Sequence, residues 1–223
     1  MKKPPAKAAV AALGVLLAVP AFVLGTSGFV HFRDGVAVDA AIPVPVYMVA
    51  QVPLPKNAYI AAADALSQAD PRNGHAAIAA AEASRHAGEQ PGRLVPLLQQ
   101  GLIHEPASAR GWTLLSEVLY PVDRKKAAAA LSQALILAPR DYWLIGARAK
   151  DAALLWSDLG PDAQVAALGQ VQLLWQTKKL RGQMRELLRT PDGAALVTRA
   201  FGQDDIRAVN RWHSRKQRLR PMP

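Results

Sequence analysis

This sequence predicts an all-α protein with an N-terminal transmembrane helix, on the strength of three observations. From Asn57 onward, apolar residues recur every three or four positions in a succession of short segments closed by proline or glycine. No segment between them alternates apolar and polar residues as a strand does. Upstream, Ala8 to Val30 runs for 23 residues without one charged side chain. With 223 residues, 51% of them hydrophobic and 20% charged, the chain has material for one membrane segment and one soluble domain with a core. Cysteine is absent, which removes disulfides, thiolate nucleophiles and Cys-ligated metals but leaves the redox compartment open.

Residues 1–7, MKKPPAK, carry three lysines and no acid. A helix rises about 1.5 Å per residue and needs about 20 apolar residues to cross a hydrocarbon core roughly 30 Å thick, so residues 8–30 can span it with some tilt. Lysines precede the run and only His31, Arg33 and Asp34 follow it directly. The positive-inside bias then puts the N-terminus in the cytoplasm and the main domain in the periplasm, with the anchor in a bacterial inner membrane. The competing reading is a cleaved signal peptide, because Val19-Pro20-Ala21 offers a small residue after an apolar run of about a dozen. Continued hydrophobicity through Phe22, Val23, Leu24, Phe29 and Val30 favours an uncleaved signal anchor.

Residues 31–56 read as an extended connector. Pro43, Pro45, Pro53 and Pro55 remove backbone donors and fix φ, excluding a helix or a central strand. Ile42, Val44, Tyr47, Met48 and Val52 make it too apolar for a solvated linker, so it either lies against its own domain or adds a strand to a neighbour's sheet edge.

The helical segments follow in order. Asn57 is placed to cap AYIAAADALSQA, Asn73 or Gly74 opens HAAIAAAEASRHA, and Gly88 stops it as a glycine cap. PGRLVPLLQQGLIHE runs from Pro91 to Pro106, ASARGWTLLSEVLY ends at Pro121, and DRKKAAAALSQALILA ends at Pro139. RDYWLIGARAKDAALLWSDL is closed by Gly160-Pro161, and Pro161 with Asp162 opens a long helix suited to the helix dipole. That helix is expected to run through Lys178, Lys179, Arg181, Arg185 and Arg189, with short helices after Thr190 and from Asp204-Asp205 to about Arg218.

Two of these segments echo each other. LQQGLIHEP (98–106) aligns with LSQALILAP (131–139), their prolines 33 residues apart, and each is followed by an aromatic, Trp112 or Trp143. The pentad ALSQA occurs at 65–69 and again at 130–134, with LLQQG at 97–101 between them. A period near 34 with two helices per unit is the signature of a helical-hairpin repeat. Trp112, Leu115, Ser116, Ala128, Leu131, Ala134 and Pro139 fall approximately where the tetratricopeptide (TPR) repeat family has its Trp, Leu, Gly, Ala, large apolar, Ala and Pro positions. Residues 57–158 therefore resemble that family, with one good repeat and two degenerate ones. The departures are Ser116 for glycine, an extra residue in the turn from Tyr120 to Asp123, a first unit truncated at Asp70-Pro71, and a poor fit after Trp156. The resemblance implies a solenoid in which alanines let helices approach closely and whose concave face binds peptides or partner helices. Residues 159–223 are then a capping helical region, with Trp175 and Trp212 as core or capping residues. The layout of anchor, degenerate repeats and basic tail also resembles membrane-anchored proteins that accompany bacterial exopolysaccharide synthesis.

The net charge of +10 is concentrated at the ends. Residues 31–177 hold 12 basic and 13 acidic side chains, whereas 178–223 hold 12 basic and 4 acidic. Arg207, Arg211, Arg215 and Arg218 recur at helical spacing on one face of the last helix, where like charges repel by a few tenths of a kcal/mol per pair. Such a face is either simply solvated or offered to an anionic partner. The periplasmic topology excludes nucleic acid and leaves anionic lipid, acidic polysaccharide or an acidic protein surface.

Catalytic signatures are missing. The histidines 31, 75, 86, 104 and 213 have no paired ligand spacing, and there is no G-x-S-x-G, phosphate-binding loop or dinucleotide fingerprint. No metal or cofactor is expected, and the Asp204-Asp205 pair is accounted for by helix capping; carboxylates brought together from distant turns stay open as an enzymatic alternative. The expected role is a non-enzymatic scaffold or adaptor in an envelope-associated complex, with Trp112, Trp143, Arg207, Arg211, Arg215 and Arg218 as candidate partner-binding residues. The alternative is a protein that binds acidic polysaccharide or anionic lipid through the basic C-terminal helix.

Overall fold

The computed structural model describes residues 54–68 and 72–218. The expected basic N-terminus, the transmembrane anchor and nearly all of the connector lie outside the described residues. Among the described residues there are ten α-helices, two short 3-10 turns and no strand, so the domain is all-α. No helix among them is long and apolar enough to cross a membrane. The chain parts into two compact units between Ala87 and Gly88, a boundary inside the span 57–158.

The first unit contains α1 (Lys56–Leu66) and α2 (Gly74–His86), which pack on one another. Its buried positions are mostly small, Ala62, Ala63, Ala76, Ala80, Ala81 and Ala83, around Leu66 and Ile78. Alanine lets two helix backbones approach closely, and Tyr59 stacks on His86 with ring centroids 5.1 Å apart. The first cap differs from the expectation. Pro55, fixed at φ −66°, is the N-cap of α1 and accepts from Ala58 N at 3.0 Å, which moves Asn57 into the first turn. Asn73 does cap α2, accepting from Ala76 N at 3.0 Å. Just past α2, Gly88 has φ 88°, a left-handed conformation that glycine adopts without a Cβ penalty.

The second unit contains α3 (Pro91–His104), α4 (Ala109–Leu119), α5 (Arg124–Leu137), α6 (Ile145–Leu154), α7 (Pro161–Gln176), α8 (Arg181–Leu187), α9 (Pro191–Ala200) and α10 (Gln203–Arg218). Local chemistry sets the starts. Ser108, Asp123 and Thr190 accept from the amides of Gly111, Lys126 and Gly193 at 3.2, 3.1 and 3.1 Å, while Pro91, Pro161 and Pro191 occupy first turns. The pairing of α4 with α5 is the most extensive, α3 packs on α4, and α7 is the hub on which α5, α6, α8 and α9 converge. Leu98, Leu131, Leu135, Ile145, Leu155, Leu174 and Leu196 are fully buried and form the core.

α3 and α5 are both 14 residues long, and their first residues (91 and 124) and last residues (104 and 137) are each 33 apart. Burial keeps the same register. Leu98 and Leu131 are buried, as are Gly101 and Ala134, and Leu102 and Leu135, whereas Ile103 and Ile136 are both exposed. The two ALSQA pentads, by contrast, are not equivalent. The first ends α1, whose last residue is Leu66, while the second sits inside α5. They share only a local bond: Ser67 donates to the Ala63 carbonyl at 2.7 Å and Ser132 to that of Ala128 at 2.8 Å. Two identical strings therefore take different places in their helices.

The helix expected to continue from Pro161 through Arg189 is broken. α7 ends at Gln176, Thr177 is extended at φ −90° and ψ 107°, and a 3-10 turn spans Lys178–Leu180 before α8. Arg181 Nε donates to the Trp175 carbonyl at 3.0 Å, replacing an amide the interrupted helix would have supplied. The break returns Leu180, Met184 and Leu187 to the interior, where all three are buried. A straight continuation would carry this apolar face away from the body, so burial outweighs helix continuity.

Candidate interaction surface

The two tryptophans that follow the echoed segments have different fates. Trp112 is half-buried in α4 and its Nε1 donates to the Pro106 carbonyl at 2.8 Å, closing the turn between α3 and α4. Trp143 is 76% exposed. The residue 33 positions after Trp112 is Ile145, fully buried as the first residue of α6. Residues 141–144 form a turn ahead of that helix, with the Trp143 amide donating to Asp141 Oδ1 at 3.0 Å. Trp143 thus lies in the turn before α6, two residues ahead of the buried Ile145.

Its neighbours make a surface of it. Ile136 and Leu137 at the end of α5, and Tyr142 beside Trp143, are all exposed. Eight consecutive residues therefore present four large apolar side chains to solvent. Isolated exposed hydrophobes are ordinary; four within eight residues, two of them aromatic, are not.

Two arginines fix the helices beneath this turn. Arg148 on α6 is fully buried; its Nη1 donates to the Ala134 carbonyl at 2.8 Å and its Nη2 to Ala138 at 2.8 Å and Asp141 at 3.5 Å. It thereby adds a second donor to carbonyls at the C-terminus of α5, which also accept the amides of Ala138 and Asp141, and a cation there suits the helix dipole. Burial lowers its pKa below the ordinary arginine value, and the Asp141 carboxylate pulls in the opposite direction. At the other end of α5, Arg124 donates to Asp158 Oδ2 at 3.1 Å, to the Leu154 carbonyl at 2.7 Å and to the Tyr120 hydroxyl at 3.2 Å. The hydrogen bond to Asp158 raises the pKa of Arg124. The α5–α6 turn is hydrogen-bonded from inside by Arg148.

The basic residues of the C-terminal region divide into distinct groups. Arg181 lies 4.5 Å from the centre of the Trp175 ring and Arg185 lies 5.7 Å from that of Trp212, while the two indoles meet edge to face at 5.7 Å and 76°. Arg199 sits over Trp156 at 5.2 Å, and Arg189 pairs with Glu186. Arg207 and Arg211 are exposed on α10, whose Val209 is fully buried. Arg215 and Arg218 follow on the same helix at helical spacing. The structure does not join the tryptophan candidates and the arginine candidates into one site: Trp112 and Trp143 belong to α4 and the α5–α6 turn, and the arginines to α10.

No group of three or more histidine, aspartate or glutamate side chains among the described residues is arranged to hold a metal ion. Sequence reasoning missed Arg148 and the Ile136, Leu137 and Tyr142 cluster. A signal for Arg148 existed, since it stands 33 residues after the buried Leu115, the same offset that separates 98–106 from 131–139. Comparison with protein-family models, curated proteins and solved structures yields no match to this chain.

Proposed function

We propose that this chain is a non-enzymatic adaptor, anchored in a bacterial inner membrane by residues 8–30, whose periplasmic TPR-like domain docks a protein partner in an envelope-associated complex, of the kind that serves polysaccharide synthesis or export. The observation that carries it is the exposed apolar turn with Trp143 at 76% exposure, held by a buried arginine. A rigid aromatic on a pre-formed turn loses little conformational freedom on binding, the property that makes tryptophan a frequent hot spot. The 33-residue offset of α3 and α5 and their matched burial support a TPR-like repeat within the second unit.

The full chain, solubilised from membranes in detergent and captured at high salt, tests this directly. A protein partner held by the native chain and lost on Trp143→Ala, with the thermal midpoint unchanged, is the expected result. Retention of the partner by Trp143→Ala, or the lack of any protein partner for the native chain, would overturn it.

A further inference from the structure

We infer that the protein partner presents an acidic amphipathic helix, which docks along the outer face of α6 from Trp143 to Leu154. This rests on the adaptor reading and names the chemistry of the partner at the same site. The helical register of α6 begins before its first residue: the Ile145 amide donates to the Asp141 carbonyl at 3.1 Å, and the Arg148 amide to that of Leu144 at 3.0 Å. Trp143, Ala147, Lys150 and Leu154, spaced by four, three and four, therefore share one side of the helix. Trp143, Lys150 and Leu154 are exposed and Ala147 is half-buried, whereas Ile145, Arg148, Ala149 and Ala152 on the other side are fully buried. The stripe is about 16 Å long at the rise of an α-helix, with the exposed Tyr142 beside its Trp143 end.

Charge and shape select the occupant. Arg140, three residues before Trp143, and Lys150, two turns after it, are both exposed, and neither is paired with a carboxylate among the described residues. The acids nearest them in sequence are taken up by the fold: Asp141 Oδ1 accepts the Trp143 amide at 3.0 Å, and Oδ2 of Asp151 is buried. A partner that covers the indole lies beside these two cations, so acidic side chains on its flanks complement them and basic ones are repelled. Among the described residues there is no strand, hence no sheet edge to which an extended peptide could add. A helix face with the small Ala147 between the larger Trp143 and Leu154 is instead a surface against which the side chains of a second helix interdigitate. Arginine, tyrosine and tryptophan, the types most enriched in binding hot spots, stand together at 140, 142 and 143.

Photocrosslinking in native membranes, from the full chain with Tyr142 replaced by p-benzoylphenylalanine, identifies the partner segment. That segment, made as a synthetic peptide, is the probe for binding to the full chain in phosphatidylcholine nanodiscs. The expected segment belongs to another protein, has apolar residues at helical spacing and carries Asp or Glu beside them. Arg140→Gln with Lys150→Gln should weaken the peptide about tenfold at low salt. The loss should be much smaller at about 1 M salt, where the screening length falls to about 3 Å. Trp143→Ala should weaken it at both. Lys178→Gln with Lys179→Gln, on exposed positions of the 3-10 turn between α7 and α8, should leave it close to native. Thermal midpoints, unchanged in all variants, show that folding is not the cause. Equal losses in the two double variants would reduce the effect to net charge and overturn the inference. So would a crosslinked segment without acids or from a second copy of this chain, or full binding by Arg140→Gln with Lys150→Gln at low salt. The adaptor reading survives those results as long as Trp143→Ala still releases a protein partner. No crosslinked protein, or polygalacturonate held through Trp143 in its place, would overturn both.

Discussion

Arg148 Nη1 donates to the carbonyl oxygen of Ala134 at 2.8 Å, so a fully buried guanidinium on α6 closes the end of α5. Its second nitrogen reaches the carbonyl of Ala138, the C-cap of α5, at 2.8 Å. A charge at this depth is tolerated because its guanidinium nitrogens meet backbone carbonyls at the helix end, where a cation also suits the helix dipole. Arg148→Ala should therefore leave a cavity and remove the hydrogen bonds that tie α6 to the end of α5, destabilising the domain by about 3 kcal/mol. Arg148→Lys, which keeps a donor and most of the stem, should cost clearly less. Denaturant midpoints at constant m-value check both.

The aromatic cluster predicts a measurable coupling. Arg185 over Trp212 at 5.7 Å should show an interaction of about 0.5–1 kcal/mol in a double-mutant cycle of Arg185→Ala and Trp212→Phe. Additive effects would mean that the contact contributes nothing.

Asp123 caps α5 through the amide of Lys126, and its pKa is lowered, first by that backbone hydrogen bond and then by the Lys126 side chain. A carboxylate with a depressed folded-state pKa contributes stability that is present above its unfolded value and lost as pH falls through the folded one. Asp123→Ala should therefore lower the thermal midpoint at neutral pH. The difference from the native chain should fade as the solution is acidified below the ordinary aspartate range.

Gly193 sits in the first turn of α9, where a Cβ would come within 2.0 Å of the Leu187 carbonyl oxygen. Backbone cannot yield as a side-chain tip can. Gly193→Ala should cost about 2 kcal/mol in chemical denaturation, although alanine is the better helix former.

Much of the fold was legible along the chain because helix starts and stops are local chemistry. Asn73, Ser108, Asp123 and Thr190 accept hydrogen bonds from amides three residues ahead, and Gly88 ends α2, all interactions within one turn of sequence. The candidate surface was legible only in part. Trp143 and the arginines of α10 could be singled out by residue type. That Trp112 is held by the Pro106 carbonyl and Trp143 is not, and that Arg181 and Arg185 are spent on tryptophans, depends on residues that meet only after folding.

By itself the sequence determined an all-α domain, the approximate limits of most helices, the 33-residue correspondence of 98–106 with 131–139, and the concentration of positive charge beyond residue 177. These follow from periodicity, capping and composition, which act over a few residues. Tertiary structure alone decided the break at Thr177, the burial of Arg148 and the exposure of Trp143. Each is a competition between local preference and the packing of α5, α6, α7 and α8 on one another. Burying Leu180 and Met184 outweighs the smaller preferences that a short stretch of sequence can express.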